Sequence, residues 1–397
     1  MYRIGQRELD RIAGVFATRN LFRYLEDGAG ECKLFETRYA QRLGVRHCLM
    51  TASGTNALAA AHMGAGIGPG DEVIVPACTY MATPGSVLAA GAIPVIVDID
   101  ESMGMSPAAL RDAIGPRTRA VIPVHMWGLP CDMDSIMAIA AQRDLLVIED
   151  ACQAVGGAYD GRMLGSIGHI GAFSFNHYKN MSCGEGGAVV TGDDAFAERI
   201  ECAIDPCRFY WDGRRESFAG YLANGARASE IEGAIMNCQL DRIDDMIATM
   251  RAQKSRILGE TAASGLTPSP GNSAAWECGT HVAFLLPTAA AADALAEKSG
   301  GWVALKTGRH VYTEWDPVLG HRGAHHAAVN PFKLEQNRGC RMNYSKEMCR
   351  RSLDILGRTV CLTTHPDFSD DEVTQIIDRI TTAAATLTTD AVAQPVP

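Results

Sequence analysis

Several things are missing from this chain of 397 residues, and each absence closes a class of function. No apolar run is long enough to span a bilayer, and the opening MYRIGQRELD lacks the apolar core of a secretory leader, so a cytoplasmic protein without a membrane partner is expected. No two of the thirteen cysteines stand at C-x-x-C spacing, which removes zinc ribbons and dithiol redox sites and leaves the thiols as reduced core residues. Positive charge is short: 36 Lys and Arg against 46 Asp and Glu give a net charge of −10, the wrong sign for nucleic acid or an anionic membrane surface. Heptads, internal repeats and polybasic tails are absent, so coiled coils and solenoids have no support. The glycines of Gly64 to Gly70 (GAGIGPG) have the wrong spacing for a dinucleotide fingerprint and follow a helix instead of a strand. They read as a helix stop and turn, and a nicotinamide oxidoreductase lacks its signature.

What is present is an ordinary globular composition, 47% hydrophobic and 21% charged, in a chain long enough for two domains. Apolar runs at Cys48 to Thr51, Glu72 to Pro76, Ile93 to Ile99, Ala120 to Val124, Leu145 to Glu149, Gly171 to Phe175 and Ala188 to Thr191 read as short strands. Those without polar alternation have the mark of strands buried on both faces. Helical patterns fill the intervals, among them Pro107 to Ile114 and Asp132 to Arg143, and this alternation predicts an α/β fold with a mostly parallel, doubly wound sheet. Residues 1–245 are expected to form a large domain with a helical N-terminal arm. Residues 246–390 are expected to form a smaller α+β domain, and 391–397 a disordered tail. A Pro/Gly/Ser-rich linker at Thr267 to Ala275 and a last helix at Asp370 to Ala384 belong to the small domain.

The stretch from Asp144 to Gly187 organises the chemistry. One strand stops at Asp150; the next is followed by Asn176, His177, Tyr178, Lys179 and a glycine-rich turn. Ligands of open α/β sheets collect at the carboxyl ends of the strands. An acid after a strand is ordinarily a helix cap and a lysine ordinarily a solvated charge, but together with a hydroxyl between phenylalanines they suit pyridoxal phosphate. That cofactor needs a lysine for its Schiff base and an acid to keep its ring nitrogen protonated. Ser53-Gly54-Thr55 between a strand and a helix offers free backbone N–H groups to an anion, with simple helix capping as the alternative. Tyr80 follows a strand and could stack or pack. His125 closes another strand and could face the site or be structural. Pro206 to Gly225 reads as a long loop. His310, Tyr312, Trp315, His321, His325 and His326 are read as a loop closing over a polar substrate; the i, i+4 pair His321 and His325 lacks a carboxylate and two glycines interrupt it, so no metal is expected.

SGT at 53–55, GDEVIVPACTY at 70–80, VIEDACQA at 147–154, FSF at 173–175, Lys179 and GEGG at 184–187 together resemble the DegT/DnrJ/EryC1/StrS (sugar) aminotransferase family, over about residues 20–380. The resemblance implies a fold-type I pyridoxal phosphate transferase and a homodimer with shared active sites. By position it makes Lys179 the Schiff-base residue and Asp150 the partner of the ring nitrogen. Gln153 would lie against the ring or its 3′-oxygen, and Tyr80 would stack on the ring. The Gly54 backbone, Thr55 and Ser174 would bind the phosphate. Arg227 matches a residue contributed across the dimer interface; the family's asparagine falls on Gly225, with Asn224 one residue early. His125, His310, Tyr312 and Trp315 are candidate substrate contacts.

The implied reaction is ping-pong amino transfer from an amino-acid donor, glutamate or glutamine, to a sugar-like carbonyl acceptor, whether keto or aldehydo sugar, sugar acid or cyclitol. A sugar dehydratase of this family lacks the Schiff-base lysine, which Lys179 supplies. A noncatalytic binding or regulatory dimer finds no appended DNA-binding segment. The LFRY, PVHM, EDACQA and CGEGG segments look most similar to the 8-amino-3,8-dideoxyoctulosonate transaminase branch.

Overall fold

The computed structural model describes residues 3–24, 30–205, 208, 217–223 and 225–392. Strands β1 (His47–Thr51), β2 (Glu72–Pro76), β3 (Ile93–Val97), β4 (Thr118–Val121), β5 (Leu146–Asp150), β8 (Ile170–Ser174) and β9 (Gly187–Thr191) form one sheet. Between the fifth and sixth of these the chain makes a two-residue-per-arm hairpin, β6 (Ala158–Tyr159) and β7 (Arg162–Met163). The sheet order is β1-β9-β8-β5-β4-β2-β3. Pairs β3/β2/β4/β5/β8 are parallel; β9 runs antiparallel to both its neighbours, so β1 points the same way as the parallel set. Every residue of β2, β3, β8 and β9 is buried, as runs without polar alternation require when helices cover both faces.

Two apolar cores flank this sheet. One contains the helix Gly54–Gly64 together with Val311, Tyr312 and Trp315. The other contains the helices Glu31–Leu43, Met133–Gln142 and Glu230–Leu240. The helix Glu31–Leu43 has a glycine, Gly30, at its cap position and no side-chain cap of its own. The carboxylate of Glu230, 198 residues on, accepts from the Cys32 N–H at 3.2 Å and from the Glu31 N–H instead. A Cβ on Gly30 would lie 2.6 Å from that carboxylate, so a larger residue there would have to displace the Glu230 cap.

A second, antiparallel sheet, ordered β10-β11-β13-β12, is built from β10 (Thr267–Pro268), β11 (His281–Leu285), β12 (Trp302–Val303) and β13 (Thr359–Thr363). Its core takes in the last helix, Asp370–Val392, which runs beyond the expected Ala384 and includes residues 391 and 392; residues 393–397 lie outside the described set. The expected linker at Thr267 contributes the edge strand β10. The helix Ile243–Glu260 joins the two sheets: Ile243, Ile247 and Met250 pack in a core of the large sheet and Ile257 in that of the small one. Most of the Pro206 to Gly225 loop is outside the described residues.

Asp150 and Glu149 end β5. Glu149 is fully buried and accepts from His125 Nε2 at 2.9 Å and from the backbone N–H groups of Gly165, Ile167 and Gly168 at 2.8, 2.6 and 2.5 Å. It ties the loop after the hairpin to the base of the site. Glu149→Ala leaves the buried Gly165 N–H and His125 ring and the half-buried Ile167 and Gly168 N–H groups without their acceptor and is expected to lower unfolding free energy by about 3 kcal/mol, read as a lower urea midpoint. An unchanged midpoint would show that the loop is held by something else.

Candidate active site

The carboxyl ends of β2, β5 and β8 open into a cavity of about 580 Å³, roofed by the first residues of β11 and β12. Its wall includes Tyr80, Trp127, Cys152, Gln153, Lys179, His281, Trp302, Arg309 and His310.

Asp150 is buried behind the wall residue Cys152 and is fixed on both oxygens: the Thr83 hydroxyl donates to Oδ2 at 2.8 Å and the Cys152 N–H to Oδ1 at 3.1 Å. Thr83 is itself 2.7 Å from the Thr79 hydroxyl. Burial first, and the neighbouring Asp150 second, push the Cys152 thiol well above its usual range, so it stands in the wall as a neutral thiol. Lys179 follows β8 in a turn closed by its N–H donating to Asn176 O at 3.1 Å, and among the described residues its ammonium has no hydrogen-bond or ion-pair partner. Gln153 Oε1 accepts from the Trp127 N–H at 3.3 Å. Tyr80 is 48% exposed, its ring 6.1 Å edge-on to His310.

Ser53 is the N-cap of the helix Gly54–Gly64, accepting from the Asn56 N–H at 3.1 Å. Capping by Ser53 and anion binding are compatible, because a helix start leaves four N–H groups without an internal partner and Ser53 satisfies one. A Cβ on Gly54 would lie 2.7 Å from Ser174 Cβ and 3.0 Å from Cys152 Sγ. The helix start therefore abuts Ser174 only because residue 54 has no side chain.

Arg227 lies outside the cavity wall. It pairs with Asp205 at 2.9 Å, its side chain 37% exposed, where its backbone bridges to Thr51. Asn224 falls outside the described residues. Three of the four candidate substrate contacts are not in the wall. His125 is fully buried, bonded to Glu149 and accepting from the Cys131 N–H on Nδ1 at 3.2 Å. Tyr312 is fully buried, its hydroxyl donating to Lys346 O at 2.8 Å, and Trp315 is buried in the core. Their area drives them inward once Tyr312 N–H and His310 O pair with Ala77 O and Thr79 N–H, both at 2.9 Å, and extend the chain past the end of β2. That pairing leaves His310 alone facing the cavity. His321 and His325 sit beyond the short helix Asp316–Leu319, and no metal-holding group occurs among the described residues.

Several wall residues escaped the sequence reading, Trp302 and Arg309 among them, and two more stand out. His281 starts β11, and Trp127 lies in a tight turn with φ 53°, a left-handed conformation uncommon for so large a side chain. Only the backbone reveals that strain. Burial, then the charges of Arg309 and Lys179, lower the His310 pKa to about 4; burial also lowers those of His281 and His62 to about 4.

The set fits pyridoxal phosphate. The helix start with Ser174 makes an anion cradle that a Cβ at Gly54 would fill, Asp150 is an oriented acid, and Lys179 is an unpaired amine.

The comparisons agree. Residues 23–298 match the model of the DegT/DnrJ/EryC1/StrS aminotransferase family. Spore coat polysaccharide biosynthesis protein SpsC of Bacillus subtilis is 32% identical over 367 residues, 87% of each chain. GDP-perosamine synthase of Caulobacter vibrioides is 41% identical over 230 residues, 57% of this chain and 59% of that protein. A solved aminotransferase from Psychrobacter cryohalolentis superposes with a TM-score of 0.80 at 25% identity, over 98% of this chain and 99% of that one. The chain belongs to the DegT/DnrJ/EryC1/StrS aminotransferase family and has the fold of pyridoxal phosphate-dependent aminotransferases.

Two outcomes are expected. Gly54→Ala, overpacked against Ser174 at a cost of ~1–3 kcal/mol, weakens pyridoxal phosphate binding by about tenfold or more in an absorbance titration while the protein stays folded. For His62, His281 and His310 the folded-state pKa lies below the unfolded value, so the unfolded chain binds more protons between the two. Stability is then complete above about 6.5 and lost as pH falls toward about 4. A urea midpoint flat across that window would contradict the burial of these imidazoles.

Proposed function

We propose that this protein is a pyridoxal phosphate-dependent aminotransferase that moves an amino group from an amino acid, glutamate or glutamine, to a keto or aldehydo sugar, sugar acid or cyclitol by a ping-pong mechanism. The observation that carries the reading is that the unpaired Lys179 lines one cavity together with Cys152, whose N–H fixes Asp150 and whose Sγ lies against the Gly54–Ser174 contact.

The bound cofactor supplies an aldehyde that condenses with amines and a ring that takes up electron density. Asp150, held by Thr83 and the Cys152 N–H, would hold a proton at the ring nitrogen. Lys179 Nζ would hold the cofactor's aldehyde and move the proton at the donor's Cα. The N–H groups at the start of the helix Gly54–Gly64, with Thr55 and Ser174, would hold the phosphate. Gln153 would lie against the ring or its 3′-oxygen, and Tyr80 would stack on the ring. Lys179 argues against a dehydratase.

The reading extends to a cytoplasmic homodimer with Arg227 and Asn224 reaching the partner's cofactor, and to units at 1–245 and 246–390. Exposed Phe16, Leu21, Phe22, Tyr80 and Tyr178 support an apolar subunit contact near the site. No helix among the described residues is long and apolar enough to cross a membrane. GDP-perosamine synthase, by its name, makes a nucleotide-linked amino sugar, which favours a sugar acceptor; the likeness to the octulosonate branch draws nothing from the relatives above.

The absorption spectrum tests this. The protein with pyridoxal phosphate absorbs in the visible, and the band bleaches when glutamate or glutamine is added; Lys179→Ala lowers the bleaching rate by at least about a hundredfold. A band that no amino acid bleaches would overturn amino transfer, and a Lys179→Ala protein that turns over like the parent would overturn the role of the lysine.

A further inference from the structure

The cavity wall away from Lys179 is built around one residue, Trp127, and the two peptides that flank it. Trp127 (φ 53°) is followed by Gly128 (φ 80°), where a Cβ would lie 2.6 Å from Thr280 Oγ1 and 2.7 Å from Cys278 Cβ. Such strain persists only where neighbours over-determine it, and it concentrates at functional sites. The Trp127 N–H donates to Gln153 Oε1 at 3.3 Å, and its carbonyl accepts from the Thr280 hydroxyl at 2.6 Å.

His281 Nδ1 lies 3.0 Å from that same carbonyl and 3.0 Å from Thr280 Oγ1. The Thr280 hydrogen is spent on the carbonyl, so both atoms facing Nδ1 are acceptors, and Nδ1 must carry the proton. In the neutral imidazole Nε2 is then a lone-pair acceptor. Nε2 has no protein partner among the described residues and is not among the sealed unpaired atoms, so it opens onto the cavity that His281 lines. Trp302, 5.4 Å away and edge-on, and Trp127, 6.3 Å away, flank the ring and also line the cavity. Burial, with the nearby Lys254 and His310 adding to it, holds the ring neutral with a pKa lowered to about 4.

We infer that His281 is a specificity-determining residue: locked by the Trp127 carbonyl as the Nδ1–H tautomer, it accepts at Nε2 a hydrogen bond from a hydroxyl of the acceptor, whose ring lies between Trp127 and Trp302. A neutral acceptor between aromatic walls selects a polyhydroxylated carbonyl compound over a simple 2-oxo acid. The inference rests on the aminotransferase reading above.

Two measurements test it. In the protein without cofactor, 15N NMR of labelled histidine, with the His281 signal assigned by its loss in His281→Phe, shows Nε2 unprotonated from about pH 6 to about pH 8. A protonated Nε2 there overturns the tautomer. In the second, the cofactor is converted to its amino form with glutamate or glutamine. Return of the visible band is then timed with 2-oxoglutarate and with three hydroxylated ketones: GDP- and dTDP-linked 4-keto-6-deoxyhexoses and 2-deoxy-scyllo-inosose.

For the best of the three, His281→Phe lowers its rate relative to 2-oxoglutarate by about tenfold, the scale of one neutral hydrogen bond, and His281→Gln, which keeps an acceptor atom, recovers most of it. An equal fall with both kinds of ketone makes His281 structural and overturns the inference, as does no change. A parent protein that regains its band with 2-oxoglutarate but with none of the hydroxylated ketones overturns it while leaving amino transfer standing. One that no amino acid bleaches fails at the underlying reading instead.

Discussion

Two consecutive carboxylates at the end of β5 divide the structure between them. Neighbouring residues of a strand face opposite sides of a sheet, so Glu149 and Asp150 cannot serve the same place. Glu149 is consumed by three backbone N–H groups and His125. Asp150, on the other side, lies beside the cavity-lining Cys152 and is held in orientation at both oxygens. The first carboxylate gives the second a rigid base: the Glu149 contacts tie the loop at 165–168 to the end of β5, beside the pairing of β5 with β8. A site that depends on charge placed within a fraction of an ångström needs such support from residues that never touch the ligand.

The anion end of the site follows the same logic with opposite means. There nothing is added; a side chain is removed. Gly54 lets the helix start meet Ser174, and Gly187 does the same one strand over, where a Cβ would lie 2.6 Å from Ser53 and Phe173 backbone oxygens. Close approach of backbone to backbone makes the N–H groups converge, and glycine is the only residue that permits it.

Much of this was legible in the residues. Apolar runs without alternation marked the buried strands to within one to three residues, the widest miss being Ala120 to Val124 against Thr118–Val121, because a strand covered on both faces leaves no room for polar side chains. Asp150, Lys179 and the SGT turn stood out because chemistry confines them to strand ends. The reversed direction of β9 was not legible, since a buried antiparallel strand and a buried parallel one have the same composition. Nor were the fates of the aromatic residues after His310. Tyr312 and Trp315 read as a polar lid, yet the pairing with Ala77 and Thr79 ends in the 3-10 turn Tyr312–Glu314, which carries both rings into the core and leaves His310 in the cavity wall. His125 was misread for a related reason: its partner, Glu149, is adjacent in space but 24 residues away in the chain.

Trp127 and His281 belong to a harder class. Nothing in WGLP or GTHV announces a site, because what matters is a backbone dihedral at one position and a tautomer at another, 154 residues apart. The strain at Trp127 has a structural consequence that composition cannot encode: the two peptides that meet at its Cα give a donor to Gln153 on one side and an acceptor to Thr280 and His281 on the other. One residue held at φ 53° thus links the position of Gln153 to the protonation pattern of the wall at His281. Change at either end is then felt at the other through two adjoining planar groups whose relative angle the neighbours fix, and the far wall of the cavity is preorganised by its backbone.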